Sequence, residues 1–248
     1  LTEVAPTVFF GVPRVWEKLY SGVSLRMQEN DIVKRWAYHA ALRVARATVR
    51  RRLARRPVPL RLRALAALAD AVVLRPLRVR LGLGRIRLAY SAGAPIAPEL
   101  LEYFWTIGVP VREIYGQTED AGPTTVMQGD DIRLGTVGKP LPGVEVRIAP
   151  DGEILVRGPN VFAGYFRDPA ATAAALVDGW LHSGDVGELD ADGFLRITDR
   201  KKDLFITAGG KNIAPQYIEN KLKASPYIND AVVIGDGRRY LVALVVID

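Results

Sequence analysis

A chain of 248 residues, 49% hydrophobic and 25% charged, has room for one large or two smaller globular domains. With no cysteine and only two histidines, His39 and His182, it excludes disulfides, thiolate metal sites and cysteine nucleophiles, and it offers no basis for a histidine-built metal centre. The net charge of +7 is unevenly placed, since residues 1–90 hold 19 Lys+Arg against 5 Asp+Glu and the remainder 15 against 22.

Ala5 to Pro13 reads as a short apolar strand ending at a Gly/Pro stop. Arg14 to Asn30 follows as a helix, with Val15, Leu19, Val23 and Met27 at helical spacing and Trp16 beside them. Asp31 to Gly82 is the basic segment. It reads as two helices broken at Pro57-Val58-Pro59, with a further break at Pro76. Arg43, Arg46, Arg50, Arg51, Arg52, Arg55 and Arg56 make a dense guanidinium face there. Such a face is compatible with a solvated surface, since arginine forms helices well and its stem covers apolar area. It is equally compatible with contact to anionic lipid headgroups. Nucleic acid ranks last, because no base-stacking aromatics interleave with the arginines. No apolar run reaches the ~18 residues of a membrane-spanning helix, and no secretory signal is visible.

Ile86 to Tyr90 reads as a strand, Ser91 to Pro95 as a small-residue turn, and Ala97 to Gly108 as a helix with Pro98 in its first turn. This is an α/β unit, and ligands in such sheets lie beyond the carboxyl ends of the strands. Val109 to Ile114 is a second short strand, ending in Tyr115-Gly116-Gln117-Thr118-Glu119. After a glycine- and proline-rich connector at 135–143, Val144 to Ile148 and Glu153 to Gly158 form a hairpin about the turn 149–152. Asn160 to Tyr165 and Asp168 to Leu176 read as a loop and a short helix. The runs 186–189 and 193–197 flank an Asp/Gly turn, and with the hairpin they suggest a small antiparallel barrel. Asp199 to Asp203 is a charge run that, alone, reads as a solvated loop. An apolar triplet and the glycine turn 207–211 come next. Pro215 to Leu222 is then a helix with Tyr217, Ile218, Lys221 and Leu222 on its inner stripe, and 230–235 and 240–247 are strands.

Several of these stretches carry a resemblance to a known family: VFFGVPRVWEKLY at 8–20, SAGAP at 91–95, YGQTE at 115–119, WLHSGD at 180–185 and the Asp199-Arg200 pair. From residue 5 to 248 the chain resembles the AMP-forming adenylating superfamily, and most closely its long-chain fatty acyl-CoA synthetases. The resemblance implies an α/β fold, with a parallel-rich sheet, helices and a small antiparallel barrel in the large domain, followed by a truncated small α+β domain. It divides the chain into 1–134, the end of the large AMP-binding domain with the basic helical insertion 31–82; 135–199, the β-barrel subdomain; and 200–248, a mobile C-terminal domain cut short.

It also implies roles for particular residues. Gly93, Ala94 and Pro95 would cover the adenine, and Tyr115 and Gly116 would line the nucleotide, with Tyr115 able to stack on the purine. Thr118 would offer its hydroxyl to the α-phosphate. Glu119 would hold Mg²⁺, a cation usually bound by one or two carboxylates plus substrate phosphates. Asp185 would take the ribose hydroxyls with its two acceptor oxygens, and Arg200 would reach the same ribose. Lys202 would be the hinge between domains. Gly209 and Gly210 would line the thiol entry, where close backbone approach suits glycine, and Lys211 would serve the thioester half-reaction. His182 stands as either a contact to phosphate or carboxylate or a satisfied loop histidine.

The implied reaction joins a fatty acid to CoA through an acyl-adenylate, using ATP and Mg²⁺. No protein nucleophile is needed, which accords with the absence of cysteine. A phosphate loop upstream and an adenylation lysine downstream are expected to lie outside these residues, so the fragment alone is expected to form no acyl-adenylate. The expected setting is cytoplasmic, with the basic segment able to rest on the inner face of a membrane and with no specific nucleic-acid partner. The alternatives are adenylation of an amino acid or aryl acid, or a peripheral membrane-binding protein that keeps a nucleotide site.

Overall fold

The computed structural model describes residues 1–206, 208, 212–225 and 227–247. It divides into two compact units. Unit 1 holds Leu1–Ser91 and Ile96–Arg112, and unit 2 holds Ala92–Pro95 and Glu113–Asp248.

In unit 1, strand β1 (Val8–Gly11) pairs in parallel with β2 (Leu88–Ser91). Helix α1 (Pro13–Gln28) begins at Pro13, whose missing N–H falls among the first-turn donors that have no helical acceptor in any case. The sequence signal at Pro13 is thus a helix start as well as a strand stop. Trp16, fully buried, is the centre of the core. Its ring meets Phe9 and Phe104 edge-on at 5.3 and 5.0 Å, and its Nε1 donates to the Gly11 carbonyl at 3.1 Å. Helix α5 (Pro98–Thr106) supplies Phe104, together with buried Leu100, Leu101 and Tyr103.

The basic segment forms α2 (Ile32–Leu53), α3 (Leu60–Ala69) and α4 (Arg75–Arg80). The expected break at Pro76 does not occur. A π turn at Asp70–Leu74 carries α3 into α4, and Arg75 donates back to Asp70, five residues away. Widening the turn lets a proline without an N–H follow without interrupting the helix. Nor do the seven arginines form one free face. Arg50 makes a bidentate pair with Glu102 of α5, in which its second amino group donates at 3.0 Å, and Arg46 lies 3.7 Å from the same carboxylate. These two guanidiniums tie α2 to α5, while Arg51, Arg52, Arg55 and Arg56 stay exposed.

In unit 2, β3 (Val111–Tyr115), of which Glu113–Tyr115 belong here, pairs antiparallel with β4 (Thr125–Val126), and β4 with β5 (Lys139–Pro140). The barrel expected from the hairpins is a four-stranded antiparallel sheet in the order β10-β9-β7-β6, comprising β6 (Glu145–Ile148), β7 (Glu153–Arg157), β9 (Trp180–Leu189) and β10 (Leu195–Arg200). Its outer strand β10 is linked to the connector rather than to β6. Val137 N–H donates to Leu195 O at 2.8 Å, and Leu195 N–H donates to Gly138 O at 2.9 Å. Gly138 has φ +84°, and a Cβ there would lie 2.1 Å from the Val126 backbone, so only glycine fits. Ile154, Val156, Leu181, Leu195, Val137 and Tyr115 form the core of this unit.

Between the hairpins lie α6 (Pro169–Ala175), capped by the Asp168 side chain accepting from Ala171 N–H, and β8 (Leu176–Val177), which pairs with β9. After the charge run come the short antiparallel pair β11 (Phe205–Ile206) and β12 (Asn212–Ile213), helix α7 (Pro215–Lys223), and the antiparallel strands β13 (Ile228–Ile234) and β14 (Val242–Ile247). Tyr217, expected on the inner stripe of α7, is 59% exposed, with the Lys221 ammonium over its ring at 5.2 Å.

Trp16→Ala is expected to destabilise unit 1 by about 3–5 kcal/mol, because it removes a fully buried indole and its hydrogen bond together. Equilibrium urea unfolding followed by circular dichroism checks this.

Candidate functional site

The end of β3 and the β9–β10 pair bring three of the sequence-selected residues together in unit 2. Tyr115 closes β3, and its hydroxyl donates to Asp185 Oδ2 at 2.9 Å. Asp185 lies directly across from Arg200 in the β9–β10 register, and Arg200 Nε is 3.5 Å from Asp185 Oδ1. The Asp185 side chain is 11% exposed, whereas the Arg200 side chain is largely in solvent.

Burial raises the Asp185 pKa above the ordinary aspartate range. The Tyr115 hydrogen bond and the Arg200 charge oppose the rise, and the charges of Asp203 and Glu119 add to it. Burial likewise holds the Tyr115 phenol far above its usual value, with the Asp185 charge adding to the effect, so Tyr115 stays a neutral donor.

Tyr115 was expected to stack on a purine. Its ring is instead buried in the core of unit 2, against Val137, Ile154 and Leu195, because it sits on the inward side of a strand. What it presents to the site is its hydroxyl. Gly116 has its own packing reason, since a Cβ there would come within 1.6 Å of the Gly122 carbonyl oxygen.

Beyond Gly116, Thr118–Asp120 form a single 3₁₀ turn. Gln117 and Asp120 close it as a capping box, with Gln117 N–H donating to Asp120 Oδ1 at 2.7 Å and Thr124 Oγ1 donating to the other oxygen. Asp120 is fully buried and is spent on holding the loop. The turn leaves Thr118 exposed and Glu119 half-buried. Glu119 Oε1 accepts from the Tyr165 hydroxyl at 2.8 Å, and its backbone carbonyl accepts from Phe162 N–H at 2.8 Å. That hydrogen bond raises the Tyr165 pKa.

Gly93, Ala94 and Pro95 form an exposed turn that belongs to this same unit, with Gly93 at φ +87°. Lys202 lies exposed in the turn after β10. Gly209, Gly210 and Lys211 lie outside the described residues. Among the described residues no three His, Asp or Glu side chains converge to hold a metal by themselves. A single hard carboxylate such as Glu119 matches a cation whose other ligands are phosphate oxygens and water.

Two groups with site roles were missed in the sequence. Tyr165, the partner of Glu119, stands 46 residues away from it. Glu153, 5% exposed at the start of β7, accepts from Gly184 N–H at 2.9 Å and lies 3.1 Å from His182 Nδ1 and 3.0 Å from Lys201 Nζ. His182 is thus a strand residue paired with a carboxylate, not a loop histidine. The only sequence signal for Glu153 was a carboxylate in an otherwise apolar run, Glu153-Ile154-Leu155-Val156.

With the geometry in place, the class of protein is defined. Residues 1–166 match the AMP-binding enzyme family and residues 202–248 match the AMP-binding enzyme C-terminal domain. The chain belongs to the AMP-binding enzyme family. Over its whole length it is 49% identical to a Mycobacterium tuberculosis protein named as the fatty-acid–CoA ligase FadD11, of which it covers 44%. It is 44% identical to the long-chain-fatty-acid–CoA ligase FadD15 of Mycobacterium bovis, of which it covers 41%. Among solved structures, the O-succinylbenzoate coenzyme A synthetase of Bacillus subtilis with ATP and magnesium ion is 36% identical. That match covers 66% of this chain and 37% of that one, with a TM-score of 0.59. The chain therefore spans less than half the length of the relatives it matches.

The Glu153 cluster gives a pH signature. Burial by itself would push the Glu153 carboxyl up, but the hydrogen bonds from Lys201, His182 and Gly184 N–H outweigh it and hold the pKa below the usual glutamate range. Its stabilising contribution is complete above the ordinary value of ~4.3 and is lost as pH falls through the lowered folded-state value. The stability gap between the parent and Glu153→Gln is therefore expected to narrow as pH drops below ~4.3, measured as urea midpoints across pH.

Proposed function

We propose that the complete protein is a fatty-acid–CoA ligase that activates a long-chain carboxylate with ATP and passes the acyl group to the CoA thiol. The observation that carries this reading is the buried Asp185 carboxyl, held by Tyr115 and set beside Arg200 across the β9–β10 pair. Relatives covering this whole chain and named as fatty-acid ligases support the choice of acid.

Each residue has a distinct task in this reading. Asp185 accepts the two ribose hydroxyls, and Tyr115 fixes its orientation by occupying one lone pair of Oδ2. Arg200, flexible and solvated, closes over the ribose. Thr118 donates its hydroxyl to an α-phosphate oxygen. Glu119, one oxygen held by Tyr165, turns the other toward Mg²⁺, which when bound neutralises phosphate charge. Gly93 to Pro95 cover the base. CoA enters along Gly209 and Gly210, with Lys211 alongside, as the chain beyond Lys202 turns. Rate enhancement comes from positioning and charge neutralisation rather than from a covalent enzyme intermediate.

In the complete protein, Asp185→Asn and Glu119→Gln are each expected to lower kcat/KM for acid-dependent ATP–pyrophosphate exchange by about a hundredfold. Palmitate is expected to support exchange better than short acids, amino acids or aryl acids. Exchange with an amino acid or aryl acid alone would move the protein to another adenylating class, and unchanged exchange in both variants would overturn the assignment of the site.

A contact with anionic membrane is favoured by one further observation. Arg51, Arg52, Arg55 and Arg56 are exposed on the segment that also exposes Trp36, Ile32 and Leu60. Among the described residues no helix is long and apolar enough to cross a membrane. Surface attachment of this kind is worth about 1 kcal/mol per basic residue. Replacing the four arginines with glutamine is expected to abolish co-flotation with phosphatidylglycerol vesicles while leaving exchange activity in place. Flotation unchanged by the substitutions would remove the membrane from the account.

A further inference from the structure

The strand that presents Asp185 and the turn that contains the proposed hinge share a single carboxylate. Gly184, at φ +72°, is held on both sides. Its N–H donates to Glu153 Oε1 at 2.9 Å, and its carbonyl accepts from the Lys201 backbone N–H at 2.8 Å. The Lys201 side chain returns to the same place, with Nζ 3.0 Å from Glu153 Oε2 and 2.7 Å from Asp151 Oδ2. His182 Nδ1 occupies the remaining approach to Glu153 Oε2 at 3.1 Å. Asp151 belongs to the β6–β7 turn and Glu153 to β7, so Lys201 is tied to the sheet by both its backbone and its ammonium group. Lys202, the next residue, is exposed and has no side-chain bond among the described residues.

We propose that Lys201, gripped by Glu153 and Asp151, is the anchor of the joint: three positioning residues that keep Arg200 and Asp185 registered on the nucleotide while the chain beyond Lys202 moves. The proposal rests on the nucleotide reading of Asp185 and Arg200. The physical need is plain. Arg200 is one residue from Lys201 and its Nε is already 3.5 Å from Asp185. A torsion change at Lys202 acts on the backbone immediately before it, and an unanchored Lys201 would pass that rotation to Arg200. A charge-assisted bond to a carboxylate that is itself 5% exposed resists it. The stretch of β9 that carries Asp185 is meanwhile held at Gly184 N–H by the opposite oxygen of the same carboxylate.

The test uses the complete protein with Glu153→Ala, Lys201→Met, Lys201→Arg and, as control, Asp185→Asn. Lys201→Met and Glu153→Ala are expected to raise the KM for ATP about tenfold, the size of one charge-assisted hydrogen bond. The KM for the acid should stay put, and Lys201→Arg should restore the parent value by reaching the same two carboxylates. Equal loss in Lys201→Met and Lys201→Arg, or an unchanged KM for ATP in both Lys201→Met and Glu153→Ala, overturns the anchor. If Asp185→Asn also leaves nucleotide affinity intact, the nucleotide reading itself has failed; if Asp185→Asn weakens it and the anchor variants do not, only the anchor has.

Discussion

A phenol donating to a buried carboxylate, Tyr115 to Asp185, is the contact on which the rest of unit 2 depends. A carboxyl on a side chain that is 11% exposed loses most of its hydration and is costly to ionise unless something replaces the lost water. Tyr115 replaces it on one oxygen and Arg200 lies over the other. The tyrosine can do this because its ring is fixed by the same core, Val137, Ile154 and Leu195, that holds the sheet together. The site and the hydrophobic core are thus one structure, and the Asp185 carboxyl inherits the rigidity of the packing.

Electrostatics then sets how that site is joined to its neighbours. Asp185 on β9 feels Asp203 from the turn after β10 and Glu119 from the 3₁₀ turn, both adding to the rise that burial causes in its pKa. The buried Asp120, fully spent on Gln117 and Thr124, shows the opposite use of an acid: it builds the loop from which Thr118 is exposed and Glu119 meets Tyr165.

Much of this was legible in the chain. Alternation and Asp/Gly turns located β6, β7, β10 and only the last four residues of β9, and proline at the first helical position located α5 and α7, because these signals are local. Tyr115, Asp185 and Arg200, which converge on the site, were marked by the resemblance of YGQTE, WLHSGD and the Asp199-Arg200 pair to the family's motifs. What sequence reading missed was set by distance. No local pattern says that Tyr115 turns its ring inward, that Arg46 and Arg50 are spent on Glu102 of another helix, or that Glu153 ties residues 182, 184 and 201 to one point. Pro76 misled for a different reason. A π turn accommodates a proline that an α-helix would reject, and only the backbone ahead of it reveals which of the two is present.

The most direct measurement compares equilibrium binding of AMP and of 2′,3′-dideoxy-AMP to the complete protein and to its Asp185→Asn variant. If the Asp185 carboxylate grips the ribose hydroxyls, the parent binds AMP at least about tenfold more tightly than the dideoxy nucleotide, and the variant binds the two alike. A parent that does not distinguish them, or a variant that keeps the full preference, contradicts the assignment of Asp185 and with it the nucleotide site.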